Sequence, residues 1–312
     1  MEPLHEPIIK GGKLKMIEVK NLTKSFEKAT VLENLNCKIE KGSIYGLVGA
    51  NGAGKSTLLR IIMGIYKGEA GEVVVENEDP FDNEKVKSNM TFVPDDIYFY
   101  QGYTLDKMAK VYMSVYEKFD YEYFKKLTDI FHLSRTKKLN TFSKGMKRQS
   151  ALILAISTKA EYLFFDETFD GLDPVIRNLV KKIICEAVSE RKVTVILTSH
   201  NLRELEDICD HLGLLHKGGI FFESDINSLK TKMFKIQLAL KEDFDERDLK
   251  ELEIMSFKKK GSVATIIIKG EKEKTEEYLK TKEPIILDFI PLTLEEVFIY
   301  EMEVLGYEFN QL

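Results

Sequence analysis

Gly49-Ala50-Asn51-Gly52-Ala53-Gly54-Lys55-Ser56-Thr57 stands between a short apolar run, Ile44 to Val48, and an apolar-periodic stretch that begins at Lys55. The pattern is G-x-x-x-x-G-K-[ST]. Its glycines permit backbone angles closed to other residues and let successive N–H groups converge on an anion. The helix that follows points its positive end at that anion, and Lys55 adds a full charge. Ser56 is left to hold Mg²⁺ through its hydroxyl, so the expected ligand is a nucleoside triphosphate with its metal. The loop alone does not say which nucleotide, or which class of NTPase.

Outward from the loop, Met16 to Val19 and Leu35 to Ile39 read as antiparallel strands, and Ser43 to Val48 as the strand that delivers the loop. Leu58, Leu59, Ile61, Ile62 and Met63 give the next helix a broad apolar face that Gly64 is placed to end, and Glu72 to Glu76 returns as a strand. From Thr104 to Leu139 the apolar spacing of threes and fours predicts a helical insertion. The α/β pattern resumes with helix Gln149 to Ser157, buried strand Tyr162 to Phe165, helix Pro174 to Val188 and buried strand Val193 to Thr198.

After about Ser228 the character changes. Strand Phe234 to Leu240, helix Asp245 to Leu252, strands Ile254 to Lys258 and Val263 to Ile268, helix Lys272 to Leu279 and strand Ile285 to Ile290 follow in the order βαββαβ. That order predicts a small ferredoxin-like α+β domain, its central hairpin turned at Gly261-Ser262. A final amphipathic helix runs from Thr293 to Val304, with Thr293 as cap and Glu296 three residues later. Two domains are expected, residues 16–228 with a helical subdomain at about 100–150, and residues 229–312.

The chain of 312 residues, 44% hydrophobic and 31% charged, is long enough to bury its own cores. A net charge of -5 argues against a dominant nucleic-acid surface, and Lys258, Lys259 and Lys260 read as a solvated turn. Cys37, Cys185 and Cys209 are odd in number and lack C-x-x-C spacing, which suggests neither a disulfide framework nor a zinc site and fits a reducing cytosol. The longest apolar runs fall well short of the roughly 18 residues that cross a bilayer, and residues 1–15 have no apolar signal-peptide core.

Tyr162-Leu163-Phe164-Phe165-Asp166-Glu167 is an apolar strand that ends in two carboxylates. Asp166, at the strand end, is suited to hold Mg²⁺ through water. Glu167 lies one position further into the cleft and is suited to orient or deprotonate an attacking water. Between loop and strand lies Asn140-Thr141-Phe142-Ser143-Lys144-Gly145-Met146-Lys147-Arg148-Gln149, a Ser-x-Gly turn that opens a helix and makes a second anion site.

These segments, with Gly171-Leu172-Asp173-Pro174 and Thr198-Ser199-His200, occur in the order seen in ABC-type ATPases, and the chain resembles that family over roughly residues 16–225. The signature segment, the Gly-Leu-Asp-Pro run and Leu294-Glu295-Glu296-Val297-Phe298 are most similar to ATPase subunits of bacterial exporters of the acetoin-transport and bacitracin-resistance kind. The resemblance implies an α/β fold: a P-loop ABC-type nucleotide-binding domain with a helical subdomain, beside the C-terminal α+β domain. It also implies an ATPase that closes over two MgATP as a homo- or heterodimer and drives a separate membrane permease from the cytoplasmic face, without nucleic acid. By the match, Glu167 is the general base and His200 contacts the γ-phosphate and the water. Ser143 and Gly145 donate to the γ-phosphate bound by the other subunit, Asp173 links the two sites, and Phe26 stacks on adenine with Val31 nearby.

Four residues depart from the match. Asp95 in Val93-Pro94-Asp95 replaces the family's glutamine; its carboxylate can bind Mg²⁺ through water but repels the γ-phosphate where an amide would not. Lys144 and Met146 replace a glycine and a glutamine of the signature, and Asp170 stands where serine often precedes Gly-Leu-Asp. Two other classes of function compete with a transport motor: an ATPase that acts on ribosomes or DNA, for which no second nucleotide domain, long coiled coil or zinc module is visible, and an ATP-gated soluble regulatory module.

Overall fold

The computed structural model describes residues 16–27, 29–226, 233–290 and 292–304. Within them, one compact unit holds the residues up to 200 together with 211–223, and a second holds 201–210 with those from 224 on. The expected boundary between residues 228 and 229 lies outside the described residues.

The first unit begins with β1 (Met16–Phe26) and β2 (Ala29–Glu40), an antiparallel hairpin several residues longer than expected at both strands. Ile17 and Val19 on one strand and Leu35, Cys37 and Ile39 on the other alternate inward, as a sheet with a single buried face requires. Next come β3 (Ile44–Val48), buried at all five positions, α1 (Lys55–Ile62) and β4 (Ala70–Val75). β4 joins β1 antiparallel to complete a three-stranded sheet, order β2-β1-β4.

α2 (Glu84–Lys87) and β5 (Met90–Val93) lead into three helices, α3 (Leu105–Val115), α4 (Tyr121–Ile130) and α5 (Lys144–Ser157). Then follow β6 (Tyr162–Phe165), α6 (Pro174–Arg191), β7 (Thr194–Ser199), α7 (Leu202–Glu206), β8 (His211–His216) and β9 (Gly219–Asp225). The second sheet has the order β5-β6-β7-β3-β8-β9, and β5, β6, β7, β3 and β8 run parallel. Every residue of β3, β6 and β7 is buried, the mark of strands covered on both faces.

Parallel direction is what assembles the site. Val93 lies beside Phe165, Phe165 beside Leu197, and Val48 beside Ser199, so the four strands end level. The residues that follow them, Gly49, Pro94-Asp95, Asp166-Glu167 and His200, therefore emerge on one rim of the sheet. α1 contributes Leu58, Leu59, Ile61 and Ile62 to an apolar cluster shared with Leu22 and Leu35 of the first sheet and Leu47, Phe164 and Ile196 of the second. Each such buried aliphatic contributes roughly 1.5–3 kcal/mol, which holds the helix start against the end of β3.

The second unit builds its own four-stranded antiparallel sheet from β10 (Met233–Ala239), β11 (Glu253–Lys260), β12 (Val263–Lys269) and β13 (Ile286–Ile290), order β11-β12-β10-β13. That is the ferredoxin-like order, with α8 (Lys272–Lys280) between the last two strands and α9 (Leu294–Val304) after them. The helix expected at Asp245 to Leu252 is instead one 3₁₀ turn, Glu246–Leu249. Asp245 and Asp248 close a capping box around it, and Leu249 is the one buried residue of the turn, too little apolar surface to hold a longer helix. Lys258, Lys259 and Lys260 are not a turn but the end of β11, paired with Thr265, Ala264 and Val263. Lys259 is drawn down onto the Asp243 carboxylate. At the start of α9 the expected exchange is present: Thr293 Oγ1 accepts the Glu296 N–H at 3.3 Å, and Glu296 Oε2 accepts the Thr293 N–H at 3.0 Å.

Candidate nucleotide site

The loop Gly49 to Thr57 joins β3 to α1, with Ala50, Asn51 and Gly52 exposed at its crest and Ala53 half-buried beneath them. Gly54 caps α1 at φ +108°, and a Cβ there would lie 2.7 Å from Leu32 Cδ2 and 3.0 Å from the Val31 carbonyl oxygen, so only glycine fits. The same approach sets Val31 against the loop. Lys55 is 5% exposed; its Nζ donates to the Gly49 carbonyl at 2.5 Å and the Ala50 carbonyl at 3.1 Å, which curls the side chain back along the loop. No acidic residue occupies the first turn of α1, so no carboxylate of the helix itself offsets its field at Ser56 and Thr57. Phe26, at the end of β1 and opposite Ala29, presents a 41% exposed ring packed edge-on against Tyr66 at 5.6 Å.

The two carboxylates after β6 have unlike surroundings. Asp166 is 1% exposed; Oδ1 accepts the Thr198 hydroxyl at 2.8 Å, and buried Oδ2 has no hydrogen-bond partner. Glu167 adopts φ +49°, a conformation that costs a residue with a Cβ of order 1 kcal/mol and marks a functional position when the surroundings enforce it. Its amide N–H donates to Thr198 Oγ1 at 3.0 Å. Its carboxylate lies between two cations or potential cations: Oε2 is 2.9 Å from His200 Nδ1 and accepts the His200 N–H at 3.3 Å, while Oε1 is 3.0 Å from Lys55 Nζ. That second contact is close enough for an ion pair but lacks hydrogen-bond alignment, which leaves Oε1 also without a formal donor.

Ser143 and Asp173 are exposed N-caps. Ser143 Oγ accepts the Met146 N–H at 3.2 Å at the start of α5, and Asp173 Oδ1 accepts from Val175 at 3.1 Å and Ile176 at 3.0 Å at the start of α6. A Cβ on Gly145 would lie 3.5 Å from the Gly171 carbonyl, so the two helix starts are neighbours. Asp95, expected to reach Mg²⁺ through water, has one carboxylate oxygen engaged elsewhere: Oδ1 accepts from Arg148 Nη2 at 2.6 Å in an ion pair. Neither Arg148 nor Thr198 carries a role in the sequence reading, although both fall in quoted motifs; the available signal is a hydroxyl at a buried strand end for Thr198, while Arg148 sits in the polar stretch Lys147-Arg148-Gln149-Ser150 and gives none.

The rim therefore holds an anion cradle, an ammonium, a deeply buried carboxylate and a second carboxylate poised beside an imidazole. A family model described as ABC transporter matches residues 32–170. An AAA domain model also matches residues 138–206. The ABC transporter ATP-binding protein YtrB of Bacillus subtilis (strain 168) is 32% identical over 284 residues, 91% of this chain and 97% of that protein. The chain belongs to the ATP-binding proteins of ABC transporters. It is an ATP-binding cassette, and so an ATPase of transport systems. The bacitracin transport ATP-binding protein BcrA of Bacillus licheniformis is 30% identical over 70% of this chain and 72% of its own length. Among solved structures, the ATP binding subunit of an ABC transporter superposes with a TM-score of 0.64 at 25% identity, covering 69% of this chain and 92% of that one.

Proposed function

We propose that this chain hydrolyses MgATP at the rim of β3, β6 and β7, as one half of a dimer that drives a separate membrane permease in the direction of export. The unlike pair Asp166 and Glu167 carries the reading. Asp166 Oδ2, a buried anionic oxygen with no donor, fits a cation or its bound water, and the Ser56 hydroxyl in the first turn of α1 is a second oxygen for it. Mg²⁺ held there supplies charge neutralisation for the phosphates. The N–H groups of Gly49 to Thr57 and the Lys55 ammonium receive the phosphates, while the exposed Phe26 ring, with Val31 beside the loop, receives the adenine.

Glu167 takes the proton of the attacking water. His200 Nδ1, 2.9 Å from Oε2, orients that carboxylate and stands next to the γ-phosphate position. Ser143, Gly145 and Asp173, at exposed helix starts, suit a partner's nucleotide better than their own chain's, which makes a second ATPase subunit, identical or related, part of the working site. No helix among the described residues is long and apolar enough to cross a membrane. In this reading the permease is a separate chain, and the ATPase sits at the cytoplasmic face of the membrane. The docking surface is the helical segment Thr104 to Leu139 with the loop 95–102, where Tyr98 is 80% and Tyr100 56% exposed. The export direction rests on the resemblance of the signature segment and of Leu294-Glu295-Glu296-Val297-Phe298 to exporter ATPase subunits of the bacitracin-resistance kind, with which the relative BcrA, a bacitracin transport ATP-binding protein, agrees.

General-base assistance is worth about 10²- to 10⁴-fold, so Glu167→Gln lowers kcat by that factor while ATP binding, followed by calorimetric titration, is retained. Unchanged steady-state hydrolysis in that variant overturns the assignment.

A further inference from the structure

Arg148, on α5, is 1% exposed and among the largest fully buried side chains of the protein. A guanidinium is stable in such a place only when its charge is compensated and its donors are matched. Nη1 donates to the Glu167 carbonyl at 3.0 Å and to the Asp170 carbonyl. Nη2 donates to the Asp95 carbonyl at 2.8 Å and to Asp95 Oδ1 at 2.6 Å. One planar group thus ties together the loop after β5, the second residue after β6 and the turn that leads to Gly171, Leu172 and Asp173. Asp95 supplies the only carboxylate in this set of acceptors. It is also the residue that the sequence places in conflict with the γ-phosphate.

The tie bears on Glu167 in particular. This residue holds φ +49°, with its N–H fixed by Thr198 from one side and its carbonyl by Arg148 from the other. We propose that Asp95 and Arg148 are a compensated pair of positioning residues: the carboxylate neutralises the buried guanidinium, and the guanidinium pins the Glu167 backbone so that its side chain stays between Lys55 and His200. The pair rests on the assignment of Glu167 as general base. On this account Asp95 is not a metal ligand, and its negative charge is spent on Arg148 rather than turned on the phosphates. Lysine cannot replace Arg148, because a single ammonium does not span four acceptors in three segments.

The test uses the purified full chain and the variants Asp95→Asn, Arg148→Lys and the double substitution. Asp95→Asn lowers kcat for MgATP about tenfold, with KM for ATP and the half-saturating Mg²⁺ concentration each within about twofold of the parent. Arg148→Lys lowers kcat about 100-fold, the scale of a slightly misplaced catalytic group. The double variant is no slower than Arg148→Lys, because both changes break one linkage. Amide hydrogen exchange of the nucleotide-free chain reads the same tie without activity: Asp95→Asn speeds exchange at residues 167–172 and leaves α1 unchanged. An unaltered kcat, a Mg²⁺ requirement raised tenfold or more, or unchanged protection at residues 167–172 overturns the pair. An inactive Glu167→Gln beside fully active Asp95 variants refutes the pair alone, whereas an active Glu167→Gln refutes the general base on which it rests.

Discussion

At the scale of single residues, one hydroxyl separates the roles of two neighbouring carboxylates. Thr198 Oγ1 donates to Asp166 Oδ1 at 2.8 Å and accepts the Glu167 N–H at 3.0 Å, so a single oxygen orients the first carboxylate and the backbone of the second. Removal of a buried partner leaves the desolvation cost of both groups unpaid, about 1–3 kcal/mol. Thr198→Val, which keeps the shape, is expected to lower the melting free energy by that amount and kcat by at least about tenfold. A variant with parental kcat and thermal stability shows that the hydroxyl positions nothing. Lys55, Asp166 and Glu167 are legible in the sequence because their chemistry is tied to motif position. Thr198 and Arg148 are not, because their importance lies in what they touch across 31 and 53 positions of chain, to Glu167 and Asp95 respectively.

At the scale of elements, helix starts carry both fold and function. α3, α4, α5 and α6 each have a side-chain N-cap, Thr104, Asp120, Ser143 and Asp173. The first two are not among the nucleotide-site residues, so in the isolated chain their expected effect is on stability. Asp120 Oδ1 accepts the Tyr123 N–H at 2.8 Å, and Lys159 approaches its other oxygen at 3.2 Å. The Tyr123 N–H foremost, with help from Lys159, holds the Asp120 carboxyl below its ordinary value of 3.8. A carboxyl depressed in the folded state stabilises above its unfolded value, and that contribution is lost as pH falls through the lower folded value. Asp120→Ala is expected to cost about 1 kcal/mol at pH 7, the usual worth of a cap. Asp120→Asn keeps the acceptor and loses the dependence below pH 4, which urea unfolding at pH 7 and pH 3 measures; equal pH slopes for parent and Asp120→Asn contradict it.

The short elements are where pattern reading failed, and for a physical reason. Helix Asp245 to Leu252 was expected from spacing alone, yet a helix needs several buried apolar residues to offset its ordering entropy, and the turn Glu246–Leu249 buries only Leu249. The three consecutive lysines suggested a solvated turn by composition, but cross-strand pairing with Val263 to Thr265 outweighs local preference.

At the scale of the whole molecule, each unit has its own apolar core, one around Leu35, Leu58 and Phe164, the other around Ile236, Ile266 and Leu279. The proposed dimer, with two MgATP closed between its subunits, is a sandwich that belongs to two molecules. Glu167→Gln, which keeps nucleotide uncleaved, is expected to sediment as a dimer in saturating MgATP and as a monomer without nucleotide. Monomers under both conditions, including after reconstitution with the membrane partner, contradict the sandwich. The exposed placement of Ser143 and Asp173, with Gly145 half-buried and the Gly171 carbonyl nearby, is the single-chain counterpart of that expectation.

The sequence by itself determined the loop, the strand that ends in Asp166-Glu167, the buried strands of the first unit, and the four strands and last two helices of the second. Each is written in local residue types whose backbone and burial preferences act over a few positions. The tertiary structure alone decided that four strand ends lie level on one rim, that Thr198 stands between Asp166 and Glu167, and that Arg148 reaches Asp95. Those contacts join residues far apart in the chain, and strand register and helix packing, not local preference, bring them within hydrogen-bond reach.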